Sequence, residues 1–190
     1  MICGIMMPTN LKVSCHRLES TDVIQYKPET AYLLELLRCG LSQQHPSPLP
    51  ENVKLECLLQ LAKRHDVFLL AVQTMYDNGI IGDAEMGDWG TYRAQNLVKS
   101  FNQMDSLELL RHALNSEKVD FMVLKGGHIR ALYPHPELRE MADLDILVRP
   151  ESMDTAGNIL TANGFVLREK GENHFEYFKV PYTSVELHWE

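Results

Sequence analysis

Apolar residues recur every third or fourth position through most of the first 117 residues. The positions with this spacing are Leu33, Leu36, Leu37 and Leu41, then Leu55, Leu58, Leu59 and Ala62, and then Leu97, Phe101, Met104, Leu107, Leu110 and Leu114. Such spacing is typical of helices that bury one face. A further helix is predicted over residues 67–77, where an Asn-Gly pair ends it. The pattern predicts a mainly α-helical N-terminal region over residues 1–117, with irregular structure in residues 1–27.

The pattern changes at Val119, where short apolar segments replace the helical spacing. VDFMVL is nearly continuously apolar and predicts an interior strand. The segments that follow predict a short helix at HIRALY, a strand at DLDILV, a helix from Pro150 to an Asn-Gly pair, and three strands at FVLRE, HFEYFKV and TSVELHWE. This order predicts an α/β (α+β) unit over residues 118–190, built on a mixed sheet flanked by helices.

The charge balance argues against binding of nucleic acid. The chain of 190 residues carries a formal net charge of -8, and no long run of like charge occurs. Nucleic acid phosphates attract basic surfaces, so we do not expect nucleic acid as a partner. A small acidic metal site fits this balance better.

The four cysteines give no sign of a zinc ribbon or a disulfide framework. They are Cys3, Cys15, Cys39 and Cys57, and no two of them are closely spaced. Cys39 and Cys57 lie in predicted helices, where a buried, reduced thiol is the expected state. No stretch reaches the roughly 18 apolar residues of a membrane span. We therefore expect a cytoplasmic protein without a membrane segment.

Two aspartates interrupt the apolar strand DLDILV. Side chains alternate between the two faces of a strand, so Asp143 and Asp145 point to the same face. Two carboxylates this close resist ionising together unless a cation compensates them. Magnesium prefers hard oxygen ligands and commonly uses one or two carboxylates together with substrate phosphates. The strand therefore predicts a site for Mg²⁺ or Mn²⁺.

Two further motifs extend this site. Alternation in VELHW makes Glu186 a third acid on the same surface if that strand lies beside DLDILV. In LKGG, Gly126 and Gly127 leave backbone N–H groups accessible to a phosphate, and a helix predicted to start near His128 adds its positive end. Lys125 supplies a positive charge. A phosphate cradle beside an acidic metal site predicts metal-assisted phosphoryl or nucleotidyl transfer.

This combination of motifs resembles a known superfamily. Residues 119–189 resemble the nucleotidyltransferases typified by DNA polymerase beta, and LKGGHIRALYPHPELREMADLDILV followed by VELHW resembles, more narrowly, an uncharacterised bacterial nucleotidyltransferase family. The resemblance implies that Asp143, Asp145 and Glu186 bind the metals and carry catalysis. The phosphate contacts that it implies are Lys125, Gly126, Gly127 and Arg139.

The implied reaction is in-line attack of an acceptor hydroxyl on the α-phosphorus of a nucleoside triphosphate, with two magnesium ions and release of pyrophosphate. The acceptor would be a small molecule or another protein. Related chains continue into further helices after the residue that matches Glu186. We therefore expect further chain or a protein partner to complete the site.

Two other functions are compatible with these residues. One is a catalytically inactive binding or regulatory module, similar to one half of a toxin–antitoxin pair, which would bind a protein partner without turnover. The other is a zinc site for hydrolysis formed by His174, Glu186 and His188. Nucleotide binding that depends on magnesium would distinguish a nucleotidyltransferase from the inactive module and from the zinc hydrolase.

Overall fold

The N-terminal part of the protein is helical. The computed structural model describes residues 27–189, so nearly all of the predicted irregular segment, with Cys3 and Cys15, lies outside the described residues. The helices of this part are α1 (Pro28–Ser42), α2 (Leu55–Arg64), α3 (Phe68–Asp77), α4 (Asp83–Met86) and α5 (Asp88–Ser116). The predicted helices are confirmed, although α5 begins well before its first predicted apolar position and no pattern in the sequence predicts α4. None of the helices in the described part of the chain has the length and apolar character that crossing a bilayer requires.

The cysteines within the described residues differ in exposure. Cys39 on α1 is buried, as the sequence predicts, whereas Cys57 on α2 is exposed. The prediction of a buried Cys57 is wrong because α2 buries the face that carries Leu58, Leu59 and Ala62, and Cys57 lies outside that face.

Helix α5 contributes to two hydrophobic cores. Near its start, Trp89 and Tyr92 pack against the fully buried Phe68 of α3, with ring-centroid distances of 5.4 and 4.9 Å. Near its end, Leu110 and Leu114 are fully buried and belong to the core of a sheet. One continuous helix therefore connects the helical region to the sheet, and the division into two domains stays a prediction.

The C-terminal part contains a five-stranded mixed sheet. Its strands are β1 (Phe121–Val123), β2 (Leu144–Val148), β3 (Val166–Lys170), β4 (His174–Lys179) and β5 (Thr183–Trp189), in the spatial order β1-β2-β5-β4-β3. Strands β2 and β5 run parallel, and the other neighbouring pairs are antiparallel. The helices are α6 (Lys125–Ile129) and α7 (Met153–Ala162), with short 3-10 turns at Arg130–Leu132, Pro136–Leu138 and Pro150–Ser152. The predicted α/β (α+β) class, with its mixed sheet and helical lead-in, is confirmed.

The segment VDFMVL forms an edge strand, so the prediction of an interior strand is wrong. Strand β1 lies at one end of the sheet and pairs with β2, and Met122 is 60% exposed. Phe121 and Val123 pack against the sheet core on the other face. The apolar run therefore reflects a strand that buries one face against the core and that pairs with a neighbouring strand on one side only.

The two central strands have one apolar face and one polar face. Leu144, Ile146, Val185 and Leu187 are fully buried in a core that includes residues of α5 and α7. Because side chains alternate along a strand, the intervening residues point to the opposite face. We call this opposite face the polar face. The polar face carries ionisable side chains: Asp145 on β2, Glu186 and His188 on β5, and His174 and Glu176 on β4.

Candidate active site

The predicted acids lie on, or directly before, the two central strands. In the parallel pairing of β2 with β5, Asp145 lies opposite Glu186. Residues paired across neighbouring strands point to the same face, so both carboxylates lie on the polar face. Asp143 directly precedes β2 and is partly exposed. Backbone pairing between β2 and β5 therefore places Asp145 and Glu186 side by side on one face.

Asp145 is the most enclosed of the three acids. Its side chain is 6% exposed, whereas that of Glu186 is 25% exposed. Lys125 Nζ donates to Asp145 Oδ1 at 3.0 Å, and His188 Nε2 lies 2.9 Å from the same oxygen. A buried carboxylate needs such partners because burial strongly disfavours an unpaired charge. Groups from α6 and β5 therefore hold Asp145 in position.

Lys125 is placed beside Asp145 by the backbone at the end of β1. The N–H of Leu124 donates to the carbonyl oxygen of Asp145 at 3.0 Å. This bond extends the hydrogen bonding between β1 and β2 by one residue beyond Val123, the last paired residue of β1. Lys125 has a φ of 42°, in the left-handed region that non-glycine residues seldom occupy. Such conformations cost about 1–3 kcal/mol and cluster at functional sites. The backbone is therefore strained at the residue that contacts the most buried acid.

All three predicted acids act electrostatically on Lys125. Its pKa is raised above the usual value, chiefly by the hydrogen bond to Asp145 and the charge of that residue. The charges of Glu186 and Asp143 add to this effect. The charges of all three acids therefore favour the protonated form of Lys125.

Buried polar groups that the sequence did not reveal hold the segment before Asp143. Arg130, which is 3% exposed, donates to the carbonyl oxygen of Arg139 at 2.9 Å and to Gln103 Oε1 at 3.0 Å. Gln103 Nε2 in turn donates to the carbonyl oxygen of Met141 at 3.2 Å. Burial lowers the pKa of Arg130 to about 10, which leaves the side chain charged at neutral pH. Helix α5 and the turn after α6 thus position the chain that enters the site.

A second buried charge ties the same segment to the helical region. Glu140 Oε2 accepts the N–H of Leu69, 71 positions earlier in the chain, at 2.9 Å. Burial raises the pKa of Glu140. Sequence reasoning missed Arg130 and Glu140 because charged residues are seldom fully buried unless they are paired, and their partners are distant in the chain. No local pattern in the sequence could have identified them.

Gly126 and Gly127 lie inside α6 and not ahead of it. The helix begins at Lys125, so the prediction of a glycine loop followed by a helix near His128 is wrong. Gly127 is buried, and a Cβ at this position would lie 2.6 Å from Val123 Cγ1, so the missing side chain serves packing. The chain therefore turns directly from β1 into a helix that lies close against the sheet.

Gly127→Ala is expected to lower the free energy of unfolding by about 1–3 kcal/mol, the usual cost of overpacking. The new Cβ would lie 2.6 Å from Val123 Cγ1, and a β-branched valine has little freedom to move away. Gly126→Ala is the matched control, since its Cβ would meet the flexible side chain of Met141 at 2.9 Å. Urea unfolding of both variants measures the difference, and an equal loss in the control would contradict the prediction.

The side chain of Arg139 contacts residues of its own segment. Its guanidinium donates to the carbonyl oxygen of Glu140, and its Cζ lies 6.0 Å from the centre of the Tyr133 ring. Among the ion pairs of residues 27–189, none joins Arg139 to the three acids. Its role as a phosphate contact stays a prediction.

Comparison with known proteins identifies the family of this chain. A family model described as an uncharacterised nucleotidyltransferase matches residues 51–190. The chain therefore belongs to this nucleotidyltransferase family, whose general activity is nucleotidyl transfer. The match includes α2 to α5 as well as the sheet, so the family likeness is wider than the motifs alone indicated. Curated proteins and solved structures gave no significant match.

Proposed function

We propose that the protein transfers a nucleoside monophosphate from a nucleoside triphosphate to a hydroxyl group of a small molecule or of another protein. The hydroxyl gives up its proton to water and its oxygen bonds to the α-phosphorus, while the bond from that phosphorus to the bridging oxygen breaks, so that pyrophosphate leaves. Family membership supports the class of reaction. The observation that carries the proposal is the pairing of Asp145 with Glu186 across β2 and β5, with the Lys125 ammonium 3.0 Å from Asp145 Oδ1.

Asp143, Asp145 and Glu186 are the proposed ligands of Mg²⁺ or Mn²⁺. Their carboxylate oxygens are the donors that hard cations prefer, and like charges at paired positions of adjacent strands repel unless a cation offsets them. A bound pair of cations would stabilise the charge on the attacking and leaving oxygens. The pairing of Asp145 with Glu186 supports this donor set because it presents both acids to the same face.

Lys125 and Gly126 are the best supported of the proposed phosphate contacts. The Lys125 side chain is 69% exposed, so its ammonium can move from Asp145 to a phosphate oxygen once a cation compensates that acid. Gly126 is partly exposed and lets a phosphate approach the backbone closely. Gly127 is buried, so its backbone N–H is less accessible to a phosphate than that of Gly126. Arg139 is retained as a contact on the resemblance alone.

The acceptor is proposed to be something other than nucleic acid. A net charge of -8 opposes binding to a nucleic acid backbone, because such binding depends on basic residues that neutralise the phosphates. A protein partner is proposed to complete the site beside the partly exposed Glu186. The inactive-module alternative is not favoured by the family match, and it predicts a tight protein partner without turnover.

A thermal-shift screen of the four nucleoside triphosphates, each with and without magnesium, tests the proposed function. A ligand present at 100 times its Kd stabilises the native state by about 2.7 kcal/mol. For a chain of this length that corresponds to a rise in Tm of roughly 5–10 °C. We expect the rise for at least one nucleotide and only with magnesium. No shift in folded protein, or a shift that is independent of the metal, would overturn the proposal.

A further inference from the structure

We propose that His174, Glu186 and His188 form a binding site for a divalent transition-metal ion of the zinc type. In the part of the chain that the structure describes, one potential ligand atom from each of the three lies within 4.8 Å of the others. His188 Nε2 lies 3.3 Å from Glu186 Oε2, and His174 Nε2 lies 3.9 Å from Glu186 Oε1. The inference goes beyond the proposed function, because that function assigns neither imidazole as a metal ligand, although the two sites share Glu186.

Backbone pairing brings the two histidines together. In the antiparallel pairing of β4 with β5, His174 lies opposite His188, so both rings lie on the polar face. Their ring centroids are 5.3 Å apart. Asp145 Oδ1, 2.9 Å from His188 Nε2, offers a further oxygen donor at the same place. Since the donors are carried by neighbouring strands of one sheet, little conformational freedom is lost when an ion binds.

The charges around Glu186 call for a cation. Glu186 is paired with Asp145 on one side and with Glu176 on the other, so three carboxylates form a row across β2, β5 and β4. Like charges directly opposite each other in a sheet are destabilising. Lys125 contacts the Asp145 end of this row. A divalent ion held by Glu186 and the histidines would offset the repulsion at its centre.

The donor set selects the kind of ion. Two imidazole nitrogens with one carboxylate suit zinc and its first-row neighbours, whereas magnesium prefers oxygen alone. The side chains of His174 and His188 are 38% and 18% exposed, so an ion can reach them from solvent and is still partly shielded. Where this site and the proposed function both hold, the Glu186 position favours a transition metal, while Asp143 and Asp145 keep the preference for magnesium.

Titration of untagged, chelator-treated protein with zinc chloride in a calorimeter tests the site. We expect saturable binding of one zinc ion per chain, which excess magnesium does not displace because the two imidazole donors favour zinc. His174→Asn should lower the zinc affinity at least about tenfold, as the loss of a metal ligand or its support does. Substituted cobalt gives a second readout, because its visible absorption reports nitrogen ligands and should weaken in the same variant. Absence of stoichiometric zinc binding would overturn the inference.

Two controls separate this site from incidental binding. His112→Asn removes a histidine that lies 3.0 Å from Glu108 on the exposed surface of α5, and Cys57→Ser removes an exposed thiol. Both variants should bind zinc as the parent does. Loss of binding in either, with full binding in His174→Asn, would show that the ion is held elsewhere and would overturn the inference.

The zinc test and the nucleotide test fail separately. Zinc binding in His174→Asn is measured without nucleotide, and magnesium-dependent nucleotide binding is measured without zinc. Zinc binding that requires His174, in a protein that binds no nucleotide, rejects the proposed function and supports the metal site. Nucleotide binding with magnesium, in a protein that binds no zinc, supports the proposed function and rejects the metal site. His188→Asn is the second variant, interpreted only where its circular dichroism spectrum matches the parent.

Discussion

Asp145→Asn is expected to abolish magnesium-dependent nucleotide binding. Asparagine keeps the size of the side chain but removes the negative charge and one of the two acceptor oxygens. Asp145 is the acid that Lys125 and His188 both contact, so no neighbouring carboxylate can take its position. We expect the affinity for the magnesium–nucleotide complex to fall by at least about 100-fold, since removing groups that only orient metal ligands already costs about 10–100-fold. Calorimetric titration with and without magnesium measures this change.

A matched substitution tells a site effect from a general one. Asp120→Asn removes an aspartate that is also paired with a cation, Arg149, at 3.1 Å, but that is 76% exposed and outside the site. Nucleotide affinity should stay at the parental value in this control. Asp143→Asn is the second test variant, because Asp143 is only partly buried and its substitution disturbs the fold less. Parental affinity in both Asp145→Asn and Asp143→Asn would refute the assignment of the metal ligands.

Ile146→Ala is expected to lower the free energy of unfolding by about 2–5 kcal/mol, the cost of truncating a fully buried aliphatic side chain. Ile146 is on the apolar face of β2 and has no exposed surface. Leu147→Ala is the control from the adjacent position, because Leu147 points to the other face and is only partly buried. The loss for Leu147→Ala should be less than half of that for Ile146→Ala.

This comparison tests the alternation on which the site depends. If Ile146 faces the core, Asp145 must face the polar side, and the two losses must differ. Denaturant unfolding of the two variants at one temperature gives both values. Equal losses would mean that β2 is not buried on one face as described, and the placement of Asp145 beside Glu186 would lose its basis.

The sequence was most informative where a pattern is local. The alternation of DLDILV and VELHW identified β2 and β5 and the face that Asp145 and Glu186 share, because the period of a strand is visible in consecutive residues. The helical spacing identified α1, α2, α3 and the later part of α5 for the same reason. Whether Asp143, Asp145 and Glu186 bind metal stays a prediction.

The errors arose where the sequence pattern has more than one structural origin. VDFMVL is apolar because Phe121 and Val123 pack on the core, and an edge strand with one buried face can resemble an interior strand in composition. Gly126 and Gly127 suggested a loop, but a glycine also permits a helix to pack closely against a strand, as Gly127 does. Cys57 lies on the same helix as the buried leucines but on its exposed side.

The sequence by itself determined most of the helices and strands, the faces of β2 and β5, and a set of residues able to carry chemistry. Only the tertiary structure decided that β2 and β5 are parallel neighbours in a register that sets Asp145 against Glu186, that β4 brings His174 to His188, and that Arg130 and Glu140 are buried. The physical reason is the range of the interactions. Periodicity is written in adjacent residues, whereas strand order, register and the partners of buried charges depend on contacts between residues as far apart as 71 positions, which no short stretch of sequence encodes.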